Sequence, residues 1–354
     1  MRFYDGLQLD PKDIKDNIKK AETKREKNWF KKVLIVRAIL ITLFSVGFIS
    51  VFAALFGKEN SPMAVVIFCI LLCARFVDYD YNVKDSLINM GGIFAILLVS
   101  PLAVQMVNPL IGFIINFLSL MAILVMSSEK PEMGNGGLYM FGYIFLTGGM
   151  VDYEGFIGRG LMTLVGFIIC GHVFYKKHKD TVYEKDFSDV LDKLFTLDKT
   201  RKWQYATAMG ISLCYFTGEL IGINRLMWAG FACSSVMCGY FGNIRTLHKK
   251  AIDRVIGVAI GTLLFFLVYP FMPSAGAIML GPISGFCLGF CGEYRTKTIF
   301  NCFGALLVAT EIYGMESSLL MRVANNCLGI ILAVAFVIMG RLIYTYYENM
   351  KSRA

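Results

Sequence analysis

The sequence predicts an all-α polytopic membrane protein with about twelve transmembrane helices, arranged as two parallel six-helix repeats. Of its 354 residues, 56% are hydrophobic and only 17% are charged, whereas an average soluble protein has about a quarter charged residues. Many of the charged residues lie in two blocks, at 1–32 and 176–202, and most of the remaining chain forms apolar runs of membrane-spanning length. This distribution excludes a soluble enzyme, a disordered regulator and a secreted disulfide scaffold.

The N-terminal segment, residues 1–32, is expected to form a highly charged cytoplasmic helix. Asp10 and Pro11 supply an N-cap and a proline at the first helical position, and Ile14 and Ile18 lie on one side of the helix that follows. The first apolar run begins only after this segment, which is too long and too charged to be the start of a signal peptide. We therefore expect the N-terminus to stay in the cytoplasm.

Apolar runs of about 20 residues are long enough to cross the hydrocarbon core of a bilayer. The second and fifth runs of this chain are short, so a half-helix or re-entrant segment is the alternative at those two places. The predicted spans are 33–56, 61–76, 86–104, 108–126, 137–150, 155–175, 204–220, 226–241, 252–271, 275–292, 298–314 and 318–345.

Basic residues give these spans an orientation. With a cytoplasmic N-terminus, the outward loops contain two basic residues, Lys58 and Arg225, and the inward loops hold nearly all the others, as the positive-inside rule requires. An even number of spans returns the tail, residues 346–354, to the cytoplasm. We therefore interpret the net charge of +9 as basic residues that set the membrane topology and contact anionic lipid. No nucleic-acid partner is expected.

Three pairs of markers divide the spans into two halves, residues 33–175 and 203–345. Six spans per half is an even number, so the two repeats are parallel and related by an axis along the membrane normal. The paired markers are Trp29 and Trp203 before the first helix, Asp85 and Asp253 in the third helix, and Arg159-(x6)-Gly166 and Arg322-(x6)-Gly329 in the sixth.

The linker between the halves, residues 176–202, is expected to contain a cytoplasmic amphipathic helix. Thr181 and Glu184 form a capping box, and apolar residues follow at helical spacing from Phe187 to Phe195. Such a helix lies either on the inner membrane surface or on the other cytoplasmic segment.

Motifs for nucleotide binding or hydrolytic chemistry do not occur in the sequence, and we expect neither an enzyme nor a cofactor. The ten cysteines all fall within apolar runs, where cysteine behaves as a small hydrophobic residue. We interpret all ten as packing residues and predict neither a metal site nor a disulfide.

Arg254 opens the ninth span, and Gly257, Gly261 and Thr262 follow it along the helix. The glycines remove side-chain bulk, and an arginine can bind a carboxylate through two parallel hydrogen bonds. This pattern predicts a substrate-binding face that includes all four residues. The alternative is an arginine that reaches back to the cytoplasmic interface above a glycine surface used for helix packing.

Arg159 and Arg322 lie a few residues inside the predicted outer ends of their spans, and Asn325 follows Arg322 by about one turn. One interpretation is a structural ion pair for each arginine. The other is a pair of anion-binding clamps related by the repeat, with Asn325 contributing to the site. The natural acidic partners are Glu154, Glu219, Glu311 and Glu316.

Four carboxylates are candidates for proton coupling, because a partly buried carboxylate can titrate nearer to neutral pH. Asp85 and Asp253 occupy equivalent positions in the two halves, and their alternative role is to cap the N-termini of their helices. The other two candidates are Glu219 and Glu311.

Two six-helix halves, the pattern Arg-x-x-Gly-(x3)-Gly-Thr from Arg254 to Thr262, and Arg-(x6)-Gly in each sixth helix resemble the FUSC family of fusaric acid resistance proteins and aromatic acid exporters. The resemblance implies a bacterial inner-membrane exporter of small, often aromatic, carboxylates. Many members of that family carry a large cytoplasmic domain, where this chain has only the 176–202 linker. Ser86 also stands where the second half has Arg254, so the site is expected to be asymmetric.

The resulting hypothesis is a secondary transporter, or a related anion conduit, in the bacterial inner membrane. Its expected partners are the lipid bilayer and a small organic anion, and the sequence leaves open whether copies of the chain form a homo-oligomer. The alternative from another class is a membrane scaffold, or a subunit of a complex that modifies lipid or the cell envelope.

Overall fold

The computed structural model describes residues 2–196, 198–238, 244–277 and 279–351. Within these ranges the chain is helical, with short 3-10 turns and without strands. The helices are α1 Phe3–Gln8, α2 Pro11–Lys20, α3 Lys24–Phe56, α4 Ser61–Ala74, α5 Val83–Gln105, α6 Pro109–Ser127, α7 Asn135–Leu146, α8 Tyr153–His178, α9 Phe187–Asp192, α10 Lys199–Ile221, α11 Met227–Met237, α12 Ile244–Val268, α13 Ser274–Ala277, α14 Leu280–Leu288, α15 Tyr294–Tyr313 and α16 Met315–Lys351.

Six helical segments in the described ranges are long and apolar enough to cross a membrane by length and composition. The prediction of an all-α membrane protein is thereby confirmed. Each of the twelve predicted spans overlaps a helix, but the fifth extends beyond the end of α7, and the tenth is divided between the short helices α13 and α14; passage of all twelve through the bilayer stays a prediction. The six segments are Lys24–Phe56, Val83–Gln105, Pro109–Ser127, Tyr153–His178, Ile244–Phe271 and Met315–Leu342.

The chain forms two compact units, each built from two stretches of sequence. Unit 1 comprises Met1–Phe48 and Lys249–Ala324, and unit 2 comprises Ile49–His248 and Asn325–Ala354. Both units combine stretches from the two predicted halves. The two-repeat organisation and the domain boundaries therefore stay predictions of the sequence, and part of the predicted tail, residues 352–354, lies outside the described residues.

The charged N-terminal segment of unit 1 is not one continuous helix. Asp10 caps α2 as expected, with its carboxylate accepting from the backbone nitrogen of Lys12 at 2.8 Å. The chain then leaves the helix at Ala21, and Thr23 accepts from the backbone nitrogen of Glu26 to begin α3. Ile14 packs with Val33 and Leu34, so the apolar side of α2 is covered by protein.

A second apolar cluster of unit 1 joins α12, α14 and α15. Its buried members are Val258, Phe265, Leu280, Cys302, Leu306 and Leu307. Two aromatic rings at its edge pack on Phe265, with 5.9 Å between the centroids of Phe265 and Phe303 and 5.0 Å between those of Phe265 and Tyr269. This cluster fixes α12 beside α15, the two helices that carry much of the candidate site.

The linker of unit 2 packs on the helices of its own unit. Helix α9 begins at Phe187, and its capping box is formed by Asp186 and Asp189, so the predicted box at Thr181 and Glu184 is wrong. The Phe187 backbone nitrogen donates to the Asp85 carboxylate at 3.0 Å, and Val190 is fully buried.

Ion pairs also bind the linker to the other loops of unit 2. Lys185 lies 3.4 Å from Asp80 and 3.8 Å from Glu129. Asp80 also binds Lys130 at 2.5 Å, and this hydrogen bond raises the pKa of the Lys130 ammonium. The linker is thus bound to the loops that follow α4 and α6.

In unit 2, each predicted half has a glycine that lets two helices pack closely. The two glycines hold equivalent positions in the predicted repeat. A Cβ added at Gly166 on α8 would lie 2.5 Å from a side-chain carbon of Ile67 on α4. A Cβ at Gly329 on α16 would lie 2.2 Å from the carbonyl oxygen of Ala229 on α11. A larger residue at either position would force its neighbour to move, so the sixth predicted helix packs directly on the second in both halves.

Candidate functional site

Arg254 lies on α12 with only 8% of its surface exposed. Its Nη1 donates to the hydroxyl of Tyr294 in the first turn of α15, at 3.2 Å. The neighbouring Asp253 binds Arg295, with 2.6 Å and 2.9 Å from its Oδ1 to the two guanidinium nitrogens. Because α12 begins at Ile244, Asp253 lies inside the helix, and its interpretation as an N-terminal cap is wrong.

Arg322 lies on α16 and is 4% exposed. Its Nη2 donates to the sulfur of Cys302 on α15, and the charge of Arg254 acts on its guanidinium. The sequence placed these two arginines near opposite ends of their spans. In the structure both contact the same helix of unit 1: Arg254 binds Tyr294 on α15, and Arg322 binds Cys302, two turns further along it.

The glycines that follow Arg254 serve helix packing. A Cβ at Gly257 would lie 2.7 Å from the Cβ of Thr298, and one at Gly261 would lie 2.5 Å from the carbonyl oxygen of Ile299. This face of α12 is therefore covered by α15, and contact between these glycines and a substrate stays a prediction. Thr262 is buried beside them, and its hydroxyl makes no hydrogen bond to a described residue.

Arg159 belongs to unit 2, where its neighbours differ from those of Arg254 and Arg322. It is 1% exposed, and its Nε donates to Asn60 Oδ1 at 3.0 Å. Asn60 in turn donates to the carbonyl oxygens of Phe56 and Gly155, at 2.8 Å and 2.9 Å, and the charge of Glu59 acts on the arginine. This arrangement favours a structural role for Arg159 over a role as an anion clamp.

Asn325 also belongs to unit 2, and its Nδ2 donates to the carbonyl oxygen of Asn224 at 3.0 Å. Of the acids proposed as partners of the arginines, Glu154, Glu311 and Glu316 have exposed side chains. A buried guanidinium is compensated more effectively by a buried neighbour. The structure therefore favours Asn60, which is fully buried, as the hydrogen-bond partner of Arg159, with the charge of the exposed Glu59 nearby.

The remaining carboxylates differ in their surroundings. Asp85 lies in the first turn of α5 and accepts from Asn82 Nδ2 at 2.9 Å and from the Phe187 backbone nitrogen. Asn82, not Asp85, is the N-cap residue of this helix. Glu219 is half-buried on α10, where a Cβ added at Gly112 on α6 would lie 3.7 Å from its carboxylate. Glu219 thus lies near the end of α10, where this helix packs against α6.

Sequence reasoning missed three residues that hold the buried arginines: Tyr294, Cys302 and Asn60. Tyr294 follows a charged loop, and Cys302 is one of ten cysteines in apolar runs, so neither residue stands out in the sequence as part of a site. The described residues contain neither a disulfide nor a group of three histidine, cysteine or acidic side chains that could hold a metal ion.

Residues 213–336 match the family model described as fusaric acid resistance protein-like. This match confirms the predicted resemblance to the FUSC family, and its range includes Arg254, Tyr294, Cys302 and Arg322. No curated protein and no solved structure matches the chain.

Proposed function

We propose that this protein, with its FUSC-like segment at residues 213–336, is a secondary transporter that exports small organic carboxylates across the bacterial inner membrane. The observation that carries the proposal is that two buried arginines of unit 1, Arg254 and Arg322, bind the same helix, at Tyr294 and Cys302. The residues proposed to bind the carboxylate are these two arginines.

Electrostatics favours an anion at this place. A guanidinium group loses hydration energy when it is buried. A carboxylate bound by either arginine would offset part of this cost, since a planar guanidinium can bind it through two parallel hydrogen bonds. Tyr294 and Cys302 would hold the guanidinium groups in place. The burial of Arg254 argues against a side chain that reaches out to the membrane interface.

The apolar cluster beside Cys302 supports an aromatic substrate. Phe265 and Cys302 belong to the same cluster, and Phe303 and Tyr269 pack at its edge. Aromatic rings favour offset or edge-on contact with other rings. A carboxylate bound by the arginines would therefore place an aromatic ring close to these side chains.

The proposal includes the topology expected from the sequence: twelve spans in two parallel repeats, with both termini in the cytoplasm. The equivalent packing of Gly166 on Ile67 and of Gly329 on Ala229 supports the repeat. Arg159 and Asn325, which lie in unit 2, have no direct part in the proposed binding of the carboxylate.

Transport by purified protein in lipid vesicles tests the proposal. We expect efflux of radiolabelled benzoate from vesicles with the wild-type protein, and efflux at least tenfold slower with Arg322→Gln, because one charge-assisted contact is lost (about 1.5–3 kcal/mol). Arg245→Gln is the matched control, since Arg245 is an exposed arginine in the first turn of α12.

Equal efflux by Arg322→Gln and the wild-type protein would contradict the assignment of the site. Efflux by neither protein, over a panel of aromatic and aliphatic acids, would contradict transport itself and favour the scaffold alternative.

A further inference from the structure

Lys250 lies on α12 one turn before Arg254, in unit 1, and its side chain is half-buried. Residues four apart on a helix are neighbours on one face, with about 5–6 Å between their Cβ atoms. The Lys250 ammonium nitrogen lies 5.8 Å from the centroid of the Tyr294 ring on α15, within the distance of a cation–π contact. Tyr294 therefore contacts two cations of α12, because its hydroxyl also accepts from Arg254 at 3.2 Å.

The acidic residue nearest to Lys250 in sequence is already bound to another cation. Asp253 pairs with Arg295, with 2.6 Å and 2.9 Å from its Oδ1 to the two guanidinium nitrogens. Within the part of the chain that the structure describes, Lys250 forms no ion pair. Like charges four residues apart on a helix repel each other. An anion bound beside Lys250 and Arg254 would reduce this repulsion.

The two cations at Tyr294 differ in their access to water. Lys250 is half-buried, whereas Arg254 is only 8% exposed. Lys250 also precedes the predicted span that begins at residue 252, so the expected topology places it on the cytoplasmic side of Arg254. An anion that approaches from the cytoplasm therefore meets Lys250 first.

We propose that Lys250 is the capture residue of the carboxylate site: it attracts the anion from the cytoplasm, binds it first and passes it to Arg254, one turn further along α12. This inference rests on the proposed function, since it assigns the first contact of the same anion.

A lysine is better suited to capture than to retention. Its ammonium is a compact, strongly hydrated charge on a flexible stem, and it lacks the planar fork with which an arginine holds a carboxylate at two points. A cation–π contact at an accessible site is weak, so the ammonium can leave the Tyr294 ring for an incoming anion. Between binding events the ring keeps the ammonium close to Arg254.

Capture by charge has a kinetic signature. A basic residue at an entrance raises the local concentration of anions and their rate of association. Salt screens this attraction, because the Debye length falls from about 10 Å at 0.1 M to about 3 Å at 1 M ionic strength. Loss of Lys250 should therefore raise the KM for the anion mainly at low salt. The maximal rate should stay nearly unchanged, since Arg254 and Arg322 still bind the anion.

The concentration dependence of transport tests this role. The initial rate of radiolabelled benzoate transport by protein in lipid vesicles is measured over a range of benzoate concentrations, at low and at high salt. We expect Lys250→Gln to raise KM by about threefold or more at low salt and to have little effect at high salt. Lys250→Arg keeps the charge and should restore the wild-type KM. Lys249→Gln is the matched control, since Lys249 is the exposed neighbour with the same charge, and it should behave like the wild-type protein.

A wild-type KM for Lys250→Gln at low salt would overturn the capture role. An equal rise in Lys249→Gln would also overturn it, because surface charge in general would then explain the effect. A rise that persists at high salt, or that Lys250→Arg does not reverse, would show a packing role instead. In all of these outcomes the wild-type protein transports benzoate and the proposed function stands.

Absence of transport by the wild-type protein, over a panel of aromatic and aliphatic acids, would contradict the proposed function and the capture role together. Size-exclusion profiles of the solubilised variants confirm their folding. If Lys250→Gln fails to fold, Lys250→Met, which keeps the aliphatic stem and removes the charge, takes its place in the comparison.

Discussion

Arg322 donates a hydrogen bond to the thiol of Cys302, with 3.9 Å between Nη2 and Sγ. The thiol donates in turn to the carbonyl oxygen of Thr298 at 3.3 Å. Sulfur is a weak acceptor, so this contact orients the guanidinium without neutralising it. Cys302 is a fully buried member of the apolar cluster of unit 1, as expected of a packing residue, and it also accepts this hydrogen bond from a side chain of the candidate site.

Replacing Cys302 should separate its packing role from its polar role. Cys302→Val fills similar space but removes the acceptor, so we expect it to weaken benzoate binding severalfold, as for the loss of one hydrogen bond (about 1 kcal/mol). Cys302→Ser keeps an acceptor and should bind nearly as well as the wild-type protein. Binding is measured by titration of the solubilised protein, with Cys170→Val, a buried cysteine of unit 2, as the control. Equal binding by the valine and wild-type proteins would show that the thiol has no positioning role.

The chemistry of Arg254 can be tested by keeping its charge and changing its shape. Lysine has no planar fork, so Arg254→Lys should slow the transport of aromatic acids. Arg254→Ala should slow it further, by a factor that corresponds to about 1.5–3 kcal/mol for one charge-assisted contact. Efflux is measured with expression level in parallel. Wild-type efflux in both variants would remove Arg254 from the site.

Gly261 should tolerate no larger residue, because α15 lies against it. The alanine Cβ would lie 2.5 Å from the Ile299 carbonyl oxygen and 2.9 Å from Cys302. We expect Gly261→Ala to destabilise the protein by about 1–3 kcal/mol, which is typical of overpacking. Gly304→Ala on α15 has no described atom within 4 Å of the added carbon and should be neutral or stabilising, by about 1 kcal/mol. Thermal unfolding in detergent measures both; equal midpoints would contradict the close contact of α12 with α15.

The predicted topology places the linker in the cytoplasm. Ser188 is exposed on α9. A Ser188→Cys variant that lacks the exposed Cys327 and the partly exposed Cys69, Cys73, Cys238 and Cys287 should be protected from a membrane-impermeant thiol reagent in intact cells. It should react once the cells are opened. Reaction in intact cells would contradict the assignment of an inward-facing linker and, with it, the count of spans before it.

Hydrophobicity was sufficient to locate the helices, since apolar length is a property of the sequence itself. It was less suited to finding helix ends outside the apolar region. Helix α12 begins at Ile244, before the predicted start at 252, because charged residues such as Lys249 and Asp253 are tolerated in a helix that extends beyond the hydrocarbon core. The same reasoning missed the break between α2 and α3, which depends on a hydrogen bond from Thr23.

The candidate site was predicted residue by residue but not as a group. Arg254 and Arg322 stood out because charged residues are rare in apolar helices. Their common contact with α15 depends on how α12, α15 and α16 pack, and that arrangement comes from contacts between residues distant in sequence, such as Gly261 with Ile299. Tyr294 became recognisable only through its hydrogen bond to Arg254.

The division of unit 1 into two distant stretches has a consequence for biosynthesis. About 200 residues separate Phe48 from Lys249, and at 5–20 residues per second a ribosome needs roughly 10–40 s to make them. During that interval the start of α3 is already synthesised, whereas the helices that complete its unit are not. The continuous stretch Ile49–His248 of unit 2 can assemble first, and α3 must be kept from aggregation by lipid or by the insertion machinery until α12 to α15 emerge.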